Sequence, residues 1–255
     1  MNLENHLRAR RDAGAKLLVP YVTGGLDGWA DMVRAVVEGG ADAVEIGIPF
    51  SDPIMDGPTI QRASERALAS GATPAGIVGE AADLDVPVPL LVMTYCNPVQ
   101  HEGYRRFADE LAAAGIDGAI LPDVPLDEID PWAGAAAAAG VETVLLAAPT
   151  TTPERLRAIC ARSQGFVYGI SLLGVTGERT ALATQAAAMG DRLKAATDKP
   201  ALLGIGISTP DQAAAAAAHA DGVVVGSAIM RRILEGEKPG GVAGFVGSLR
   251  GALGR

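Results

Sequence analysis

Short apolar segments alternate with longer amphipathic or alanine-rich segments along nearly the whole chain. The apolar segments have the length and branched-residue content of buried strands. Eight of them can be counted, at residues 16–22, 42–48, 88–94, 118–121, 142–147, 166–171, 201–203 and 222–225. The pattern predicts helices at residues 3–12, 28–38, 60–70, 103–114, 153–161, 182–197, 210–218 and 242–253, with a short helical insert after residue 70. The alanine runs at residues 135–139 and 213–218 are interpreted as covering helices, because alanine is the best helix former.

This alternation predicts an α/β fold in which helices cover a parallel sheet. Several predicted helices end at a glycine followed by a short turn, at Gly39, Gly71, Gly115 and Gly140. Eight strands with such short connections favour a closed (β/α)8 TIM barrel, and an open doubly wound sheet is the alternative. The length of 255 residues suits a single barrel domain. Two helices are extra to the barrel: the N-terminal one and a short one over Ser227–Leu234, after the eighth strand.

The most informative stretch is residues 44–59, VEIGIPFSDPIMDGPT, which carries two carboxylates on a strand and its following loop. Its branched residues alternate with small ones and with Glu45, so Glu45 is expected on the inner face of the barrel. Asp56 lies on the loop at the C-terminal end of the strand, where such barrels keep their active sites. An inward carboxylate is usually paired or functional, whereas Asp56 next to Gly57 is also an ordinary turn pair.

Three glycine-bearing segments follow the sixth, seventh and eighth predicted strands, and they read GVTG, GIGIS and GSAI. Loops at these strand ends, together with the N-terminus of a short extra helix, often form a phosphate site in this barrel class. Glycine allows close approach of the backbone, and the first amides of a helix attract anions. Any one of these glycines could serve a turn alone, but their clustering predicts a phosphate site.

Charge and composition exclude several classes of function. A net charge of -9 argues against nucleic acids and anionic membranes as partners. The four lysines fall before strands or on outer helices, which disfavours Schiff-base chemistry, and the three histidines are too scattered for a metal site. No basic and apolar leader opens the chain and no apolar run is long enough to cross a bilayer, so a cytoplasmic location is expected. Cys96 and Cys160 fit neither a metal spacing nor a disulfide framework, so reduced thiols are expected. The chemistry that remains is proton transfer by carboxylates on a phosphorylated substrate.

Six segments of the chain resemble the tryptophan synthase α-chain family, in the same order and over nearly the whole length. They are PYVTGG at residues 20–25, VEIGIPFSDPIMDGPTIQ at 44–61, LPDVP at 121–125, GVTG at 174–177, GIGIS at 204–208 and GSAI at 226–229. The resemblance implies a lyase that cleaves indole-3-glycerol phosphate to indole and glyceraldehyde 3-phosphate by a retro-aldol reaction. It also implies that Glu45 is the general acid/base and that Asp56 binds the indole N–H.

The resemblance further assigns the substrate pocket and the phosphate site. It places Tyr21, Met93, Tyr168, Thr176 and Ile205 at substrate-binding positions, with Tyr21 and Ile205 standing where phenylalanine is frequent in the family. The phosphate-binding amides are those of Gly177, Gly206, Gly226 and Ser227.

The resemblance also implies a partner, a pyridoxal-phosphate-containing β chain in an α2β2 assembly, with no cofactor or metal in this chain itself. Pro49 and Asp52 lie on the loop expected to face that partner. Two alternatives remain open at this point. The chain could serve mainly as a binding and allosteric module for the β chain, or it could be a phosphate-binding barrel enzyme acting on a different substrate.

Overall fold

The eight strands form a closed barrel in chain order, and every neighbouring pair is parallel. The structure is a computed structural model that describes residues 2–170, 179–204 and 206–254. The strands are β1 (Leu17–Thr23), β2 (Val44–Gly47), β3 (Leu90–Met93), β4 (Gly118–Ile120), β5 (Glu142–Ala147), β6 (Val167–Ile170), β7 (Ala201–Gly204) and β8 (Gly222–Val225). The closed (β/α)8 barrel predicted from the sequence is therefore confirmed over the open sheet.

The helices cover the outside of this barrel. They are α1 (Leu3–Asp12), α2 (Trp29–Glu38), α3 (Pro58–Ala69), α4 (Pro74–Ala81), α5 (Cys96–Glu102), α6 (Tyr104–Ala113), α7 (Asp130–Ala139), α8 (Pro153–Arg162), α9 (Arg179–Ala196), α10 (Pro210–Ala217), α11 (Ser227–Leu234) and α12 (Pro239–Leu253), with a 3-10 turn at Leu126–Glu128. The predicted ends differ from the observed ones by three residues at most within the described chain, except that α7 begins five residues before the alanine run from which it was predicted. The prediction missed α5 and the 3-10 turn, because each is too short to show a hydrophobic period.

Along residues 43–46, successive side chains alternate between the inside and the outside of the barrel. Val44 and Ile46 pack outward among the helices, while Ala43 joins the cluster inside the barrel. Glu45 has the same parity as Ala43 and is buried. The inward orientation predicted for Glu45 from the two-residue period is therefore what the fold produces.

Helix α1 closes the N-terminal end of the barrel. Its Leu3 and Leu7 are fully buried among the inward side chains. Space for Leu3 comes from Gly118 and Gly165, where an ideal Cβ would lie 2.9 and 2.7 Å from its Cδ2 atom. The carboxylate of Glu142 accepts a hydrogen bond from the backbone amide of Glu4 and so holds the helix start against β5. With this end filled, the cavity of the barrel opens at the C-terminal ends of the strands.

Among the helices of the described residues, none is long and apolar enough to cross a membrane.

Candidate active site

Glu45 is a carboxylic acid buried inside the barrel. Strand pairing places it between Tyr21 of β1 and Leu91 of β3, and its exposure is 1%. Its Oε2 atom has no hydrogen-bond partner among the described residues. Burial, followed by the nearby charge of Asp56, raises the pKa of Glu45 to about 8. Near neutral pH this side chain is therefore mostly a protonated acid that can give up its proton.

Asp56 lies on the loop between β2 and α3 and is held by two side chains. The Tyr95 hydroxyl donates to its Oδ2 atom at 3.0 Å, and the same phenol oxygen accepts from the Met55 amide at 3.0 Å. Gln61 of α3 donates to the Asp56 carbonyl at 2.9 Å. Tyr95 is itself stacked on Phe50, with 5.2 Å between ring centroids. The loop is therefore shaped by hydrogen bonds and ring packing, and the carboxylate is held in place.

The environment of Asp56 produces a smaller pKa shift than that of Glu45. Burial raises the pKa of Asp56 to about 6, and the hydrogen bond from Tyr95 opposes that rise. As pH increases, Asp56 therefore ionises first, and its charge then disfavours ionisation of Glu45. At neutral pH the cavity holds one neutral acid and one anion. Environments that separate two carboxyl pKa values in this way are characteristic of acid/base sites.

Two phenols, Tyr21 and Tyr168, line the same cavity as this pair. Burial first, and then the carboxylates, raise the pKa of each phenol well above its ordinary value, so both stay neutral. Both rings depend on a glycine opposite them. An ideal Cβ at Gly47 would lie 1.8 Å from the Tyr21 oxygen, and one at Gly204 would lie 2.4 Å from the Tyr168 ring. Glycine at these two strand positions is what admits the aromatic rings.

The carboxylates and phenols line one cavity at the C-terminal ends of the strands. Its other walls are mainly apolar: Met55, Ile60, Met93, Pro122, Leu146, Ile170, Ile207 and Val224, together with Gly57, Gly204, Gly206, Gly226 and Ser227. An apolar lining with a few fixed polar groups is typical of sites that bind small molecules.

The opposite edge of the cavity carries main-chain donors. Gly226 is the N-cap of α11, and Ser227 is the first residue of that helix. The first amides of a helix have no acceptor within the helix and carry its positive dipole end, so they favour an anion. Gly206 has a φ of +78°, which favours glycine, and no described atom lies within 4 Å of the place a Cβ would take. The cavity therefore combines an acid/base pair with an edge suited to phosphate.

Most of the residues predicted from the sequence meet in this cavity. Those that line it are Tyr21, Glu45, Asp56, Met93, Tyr168, Gly206, Gly226 and Ser227. Thr176, Gly177 and Ile205 lie outside the described residues. Pro49 and Asp52 lie on the Asp56 loop away from the cavity lining, and Pro49 is buried whereas Asp52 is exposed.

Tyr95, the hydrogen-bond donor to Asp56, was not predicted from the sequence. A signal for it exists, since Tyr95 has the same parity as Met93 and lies two residues beyond the end of β3. The apolar residues Leu146 and Ile170 on β5 and β6 were also missed as pocket walls. Ile54, on the Asp56 loop, is 72% exposed and was not singled out either.

The described residues contain no group of three or more histidine, cysteine, aspartate or glutamate side chains arranged to hold a metal ion.

Comparison with known proteins gives a consistent result over the whole chain. The family model described as "Tryptophan synthase alpha chain" matches residues 7–242. The tryptophan synthase alpha chain of Thermobifida fusca is 43% identical over 240 residues, covering 91% of this chain and 89% of the relative. That of Streptomyces coelicolor is 42% identical over 250 residues, covering 96% and 92%.

Solved structures agree with the sequence matches. Tryptophan synthase subunit alpha from Legionella pneumophila superposes with a TM-score of 0.91 at 33% identity, covering 99% of this chain and 98% of that one. A chain of tryptophan synthase from Mycobacterium tuberculosis has a TM-score of 0.91 at 37% identity, covering 98% and 97%.

Proposed function

The chain belongs to the tryptophan synthase alpha chain family, and from that premise we propose how its residues carry out the family's lyase reaction in tryptophan biosynthesis. The reaction cleaves indole-3-glycerol phosphate to indole and glyceraldehyde 3-phosphate. The observation that carries the proposal is the buried acid of Glu45, whose Oε2 atom has no hydrogen-bond partner among the described residues, in one cavity with Asp56 and the glycine-rich edge. The substrate has an aromatic ring, a short hydroxylated chain and a phosphate, and these three parts match the apolar walls, the carboxyl pair and the glycine-rich edge of the cavity.

Glu45 acts first as an acid and then as a base. In its protonated form it gives a proton to C3 of the indole ring, which turns the ring into a leaving group. The resulting carboxylate takes the proton of the hydroxyl on the adjacent side-chain carbon, the carbon–carbon bond breaks, and the C–O bond becomes the aldehyde. The electron pair of the broken bond restores the indole ring, and Glu45 regains its proton. A pKa of about 8 suits this exchange, because both forms are accessible near neutral pH.

Asp56 stabilises the cation formed in the first step. Protonation at C3 places positive charge on the indole ring, and a fixed anion at the ring N–H favours that state over the neutral substrate. Tyr95 occupies one carboxylate oxygen of Asp56, which leaves the other for the ring nitrogen. Because the pKa of Asp56 is about 6, the anion is present at neutral pH.

The remaining contacts bind and orient the substrate. We assign the ring to the apolar walls formed by Tyr21, Met93 and Tyr168, together with Ile205, and we assign Thr176 to the same binding site. The phosphate lies at the main-chain amides of Gly206, Gly226 and Ser227, with Gly177 completing the set. Binding of the substrate at both its ring and its phosphate holds the reacting carbon beside Glu45. In this way the binding energy is used to orient the reacting groups.

We propose that the chain works with a β chain in an α2β2 assembly in the cytoplasm, and that pyridoxal phosphate is held by that partner. The Asp56 loop presents Asp52 and Ile54 to solvent, and a large apolar side chain that is 72% exposed is typical of a surface a partner covers. Pro49 is buried, so its contribution is to shape this loop. Covering the loop would also restrict Asp56, which lies on the same segment.

The proposal is tested with Glu45→Gln, which keeps the size of the side chain and removes its acid. Indole formation from indole-3-glycerol phosphate should fall by at least about a hundredfold, as expected for loss of a general acid/base. Binding of an indole alkyl phosphate should persist. Glu65→Gln, on the exposed face of α3, is the matched control and should be fully active. Substantial turnover by the Glu45 variant would refute the assignment.

A second measurement separates this function from a purely regulatory one. The purified wild-type chain is assayed with and without the β chain. Lyase activity in either state supports the proposal, whereas its absence in the complex would favour a binding module.

A further inference from the structure

The hydroxyl of Tyr21 is a buried polar group that the mechanism above uses only as part of an apolar wall. Tyr21 is 5% exposed, lines the cavity and pairs with Glu45 across β1 and β2. Its oxygen lies over Gly47, the next inward position of β2 after Glu45. The phenol oxygen is therefore at the reactive end of the cavity.

Thr23 holds this hydroxyl in place and leaves its proton available. The buried Oγ1 of Thr23 donates to the Tyr21 oxygen at 3.3 Å. A phenol oxygen that accepts one hydrogen bond still has its own O–H to donate, and in the part of the chain that the structure describes no acceptor is recorded for it. Burial keeps this phenol neutral by raising its pKa well above the ordinary value. An unpaired buried donor is costly, so a ligand that supplies an acceptor gains from meeting it.

The chemistry of the substrate limits what that acceptor can be. The indole nitrogen is a donor, because its lone pair belongs to the ring system, so the acceptors are the side-chain hydroxyl oxygens and the phosphate oxygens. The phosphate edge lies at the other end of Tyr21, since an ideal Cβ on Gly226 would lie 3.4 Å from the Tyr21 Cβ atom. The Tyr21 ring thus runs from the phosphate edge towards Gly47, with its hydroxyl at the far end.

We infer that the Tyr21 hydroxyl donates a hydrogen bond to a hydroxyl oxygen on the substrate's side chain, between the ring and the phosphate. Tyr21 is then a specificity-determining residue as well as a wall, because it favours a hydroxylated chain over a plain alkyl chain. This inference rests on the proposed function, since it takes indole-3-glycerol phosphate as the substrate.

The test compares two ligands in two variants. Tyr21→Phe is introduced into the Glu45→Gln protein, which is expected to bind the substrate and to turn it over at least about a hundredfold more slowly. Both proteins are titrated with indole-3-glycerol phosphate and with 3-(indol-3-yl)propyl phosphate, which lacks the chain hydroxyls. Loss of one neutral hydrogen bond should weaken binding of the hydroxylated ligand roughly 2- to 10-fold. The affinity for the propyl phosphate should stay the same. Equal weakening for both ligands, or no change for either, would overturn the inference.

Three controls keep the result specific. Tyr104→Phe removes a phenol outside the cavity and should change neither affinity. Thr23→Val keeps the Tyr21 hydroxyl but removes the group that orients it, so it should also weaken the hydroxylated ligand selectively; unchanged selectivity would contradict the role given to Thr23. Thermal unfolding of each variant establishes that it is folded.

The failure of this inference and that of the proposed function are distinguishable. Wild-type protein that cleaves indole-3-glycerol phosphate, with no selective effect of Tyr21→Phe, leaves the function standing and removes the hydroxyl contact. Absence of cleavage by the wild-type protein, alone and with the β chain, removes the function itself.

Discussion

The burial of Glu45 should make the protein less stable than its Glu45→Gln variant, by an amount that grows with pH. The acid has a pKa of about 8 in the folded chain against 4.5 when unperturbed. Below pH 4.5 the side chain is protonated in both states, so its ionisation costs nothing. Above that pH the unfolded chain ionises while the folded chain keeps its proton, so stability is lost as pH rises and the loss levels off above about 8. Linkage converts this difference to ~1 kcal/mol at pH 5, ~3 kcal/mol at pH 7 and ~4 to 5 kcal/mol at pH 8.5.

Glutamine removes this pH-dependent cost and introduces only a pH-independent one, the burial of an amide. The assay is urea-induced unfolding of wild-type and Glu45→Gln proteins at pH 5, 7 and 8.5, and the measured quantity is the difference in their free energies of unfolding. That difference should shift in favour of the variant by about 3 to 4 kcal/mol between pH 5 and 8.5. Glu65→Gln, at an exposed position, should show no such trend. A difference independent of pH would refute the view that Glu45 is held in a site that suppresses its ionisation.

Three further predictions concern the site. The ratio kcat/KM for indole-3-glycerol phosphate should rise with pH through about 6 and fall through about 8, because activity needs one ionised and one protonated carboxyl; a flat profile from pH 5 to 9 would contradict this. Tyr95→Phe removes one hydrogen bond to the Asp56 anion, so it should raise the pKa of Asp56 and move the acid limb of that profile to higher pH. It should also lower kcat/KM by about 3- to 10-fold. An unchanged acid limb would argue against the role of Tyr95. Gly204→Ala should abolish binding of an indole alkyl phosphate in a titration, because its Cβ would lie 2.4 Å from the Tyr168 ring. Gly244→Ala within α12, where a Cβ has free space, is the control and should leave binding intact. Normal binding by the Gly204 variant would contradict the packing argument.

The barrel was predictable because its strands are short apolar segments and most of its helices show a hydrophobic period or an alanine-rich run. The inward orientation of Glu45 followed from the same rule, since successive side chains of a strand point to opposite faces. Helix α5 escaped prediction because its seven residues are too few to show a period.

The contacts that control the two carboxyls were not predictable in the same way. Tyr95 and Asp56 are 39 positions apart, and the loop conformation that joins them is not periodic. Pro49 is buried and Asp52 is exposed although they are three positions apart on one loop, and no local pattern predicts this difference either. Local pattern contains no information about which loop folds over which strand end.

The sequence alone determined the number and order of the strands, the face of β2 on which Glu45 lies and the strand ends that carry glycine. These are properties of short segments, and the period of the backbone decides them. Only the closed barrel decided that Glu45 is shut away from water, that Asp56 is held by a phenol from a neighbouring strand end, and that the two acids ionise at different pH. Burial and charge proximity depend on groups distant in the chain, and only the three-dimensional structure brings those groups together.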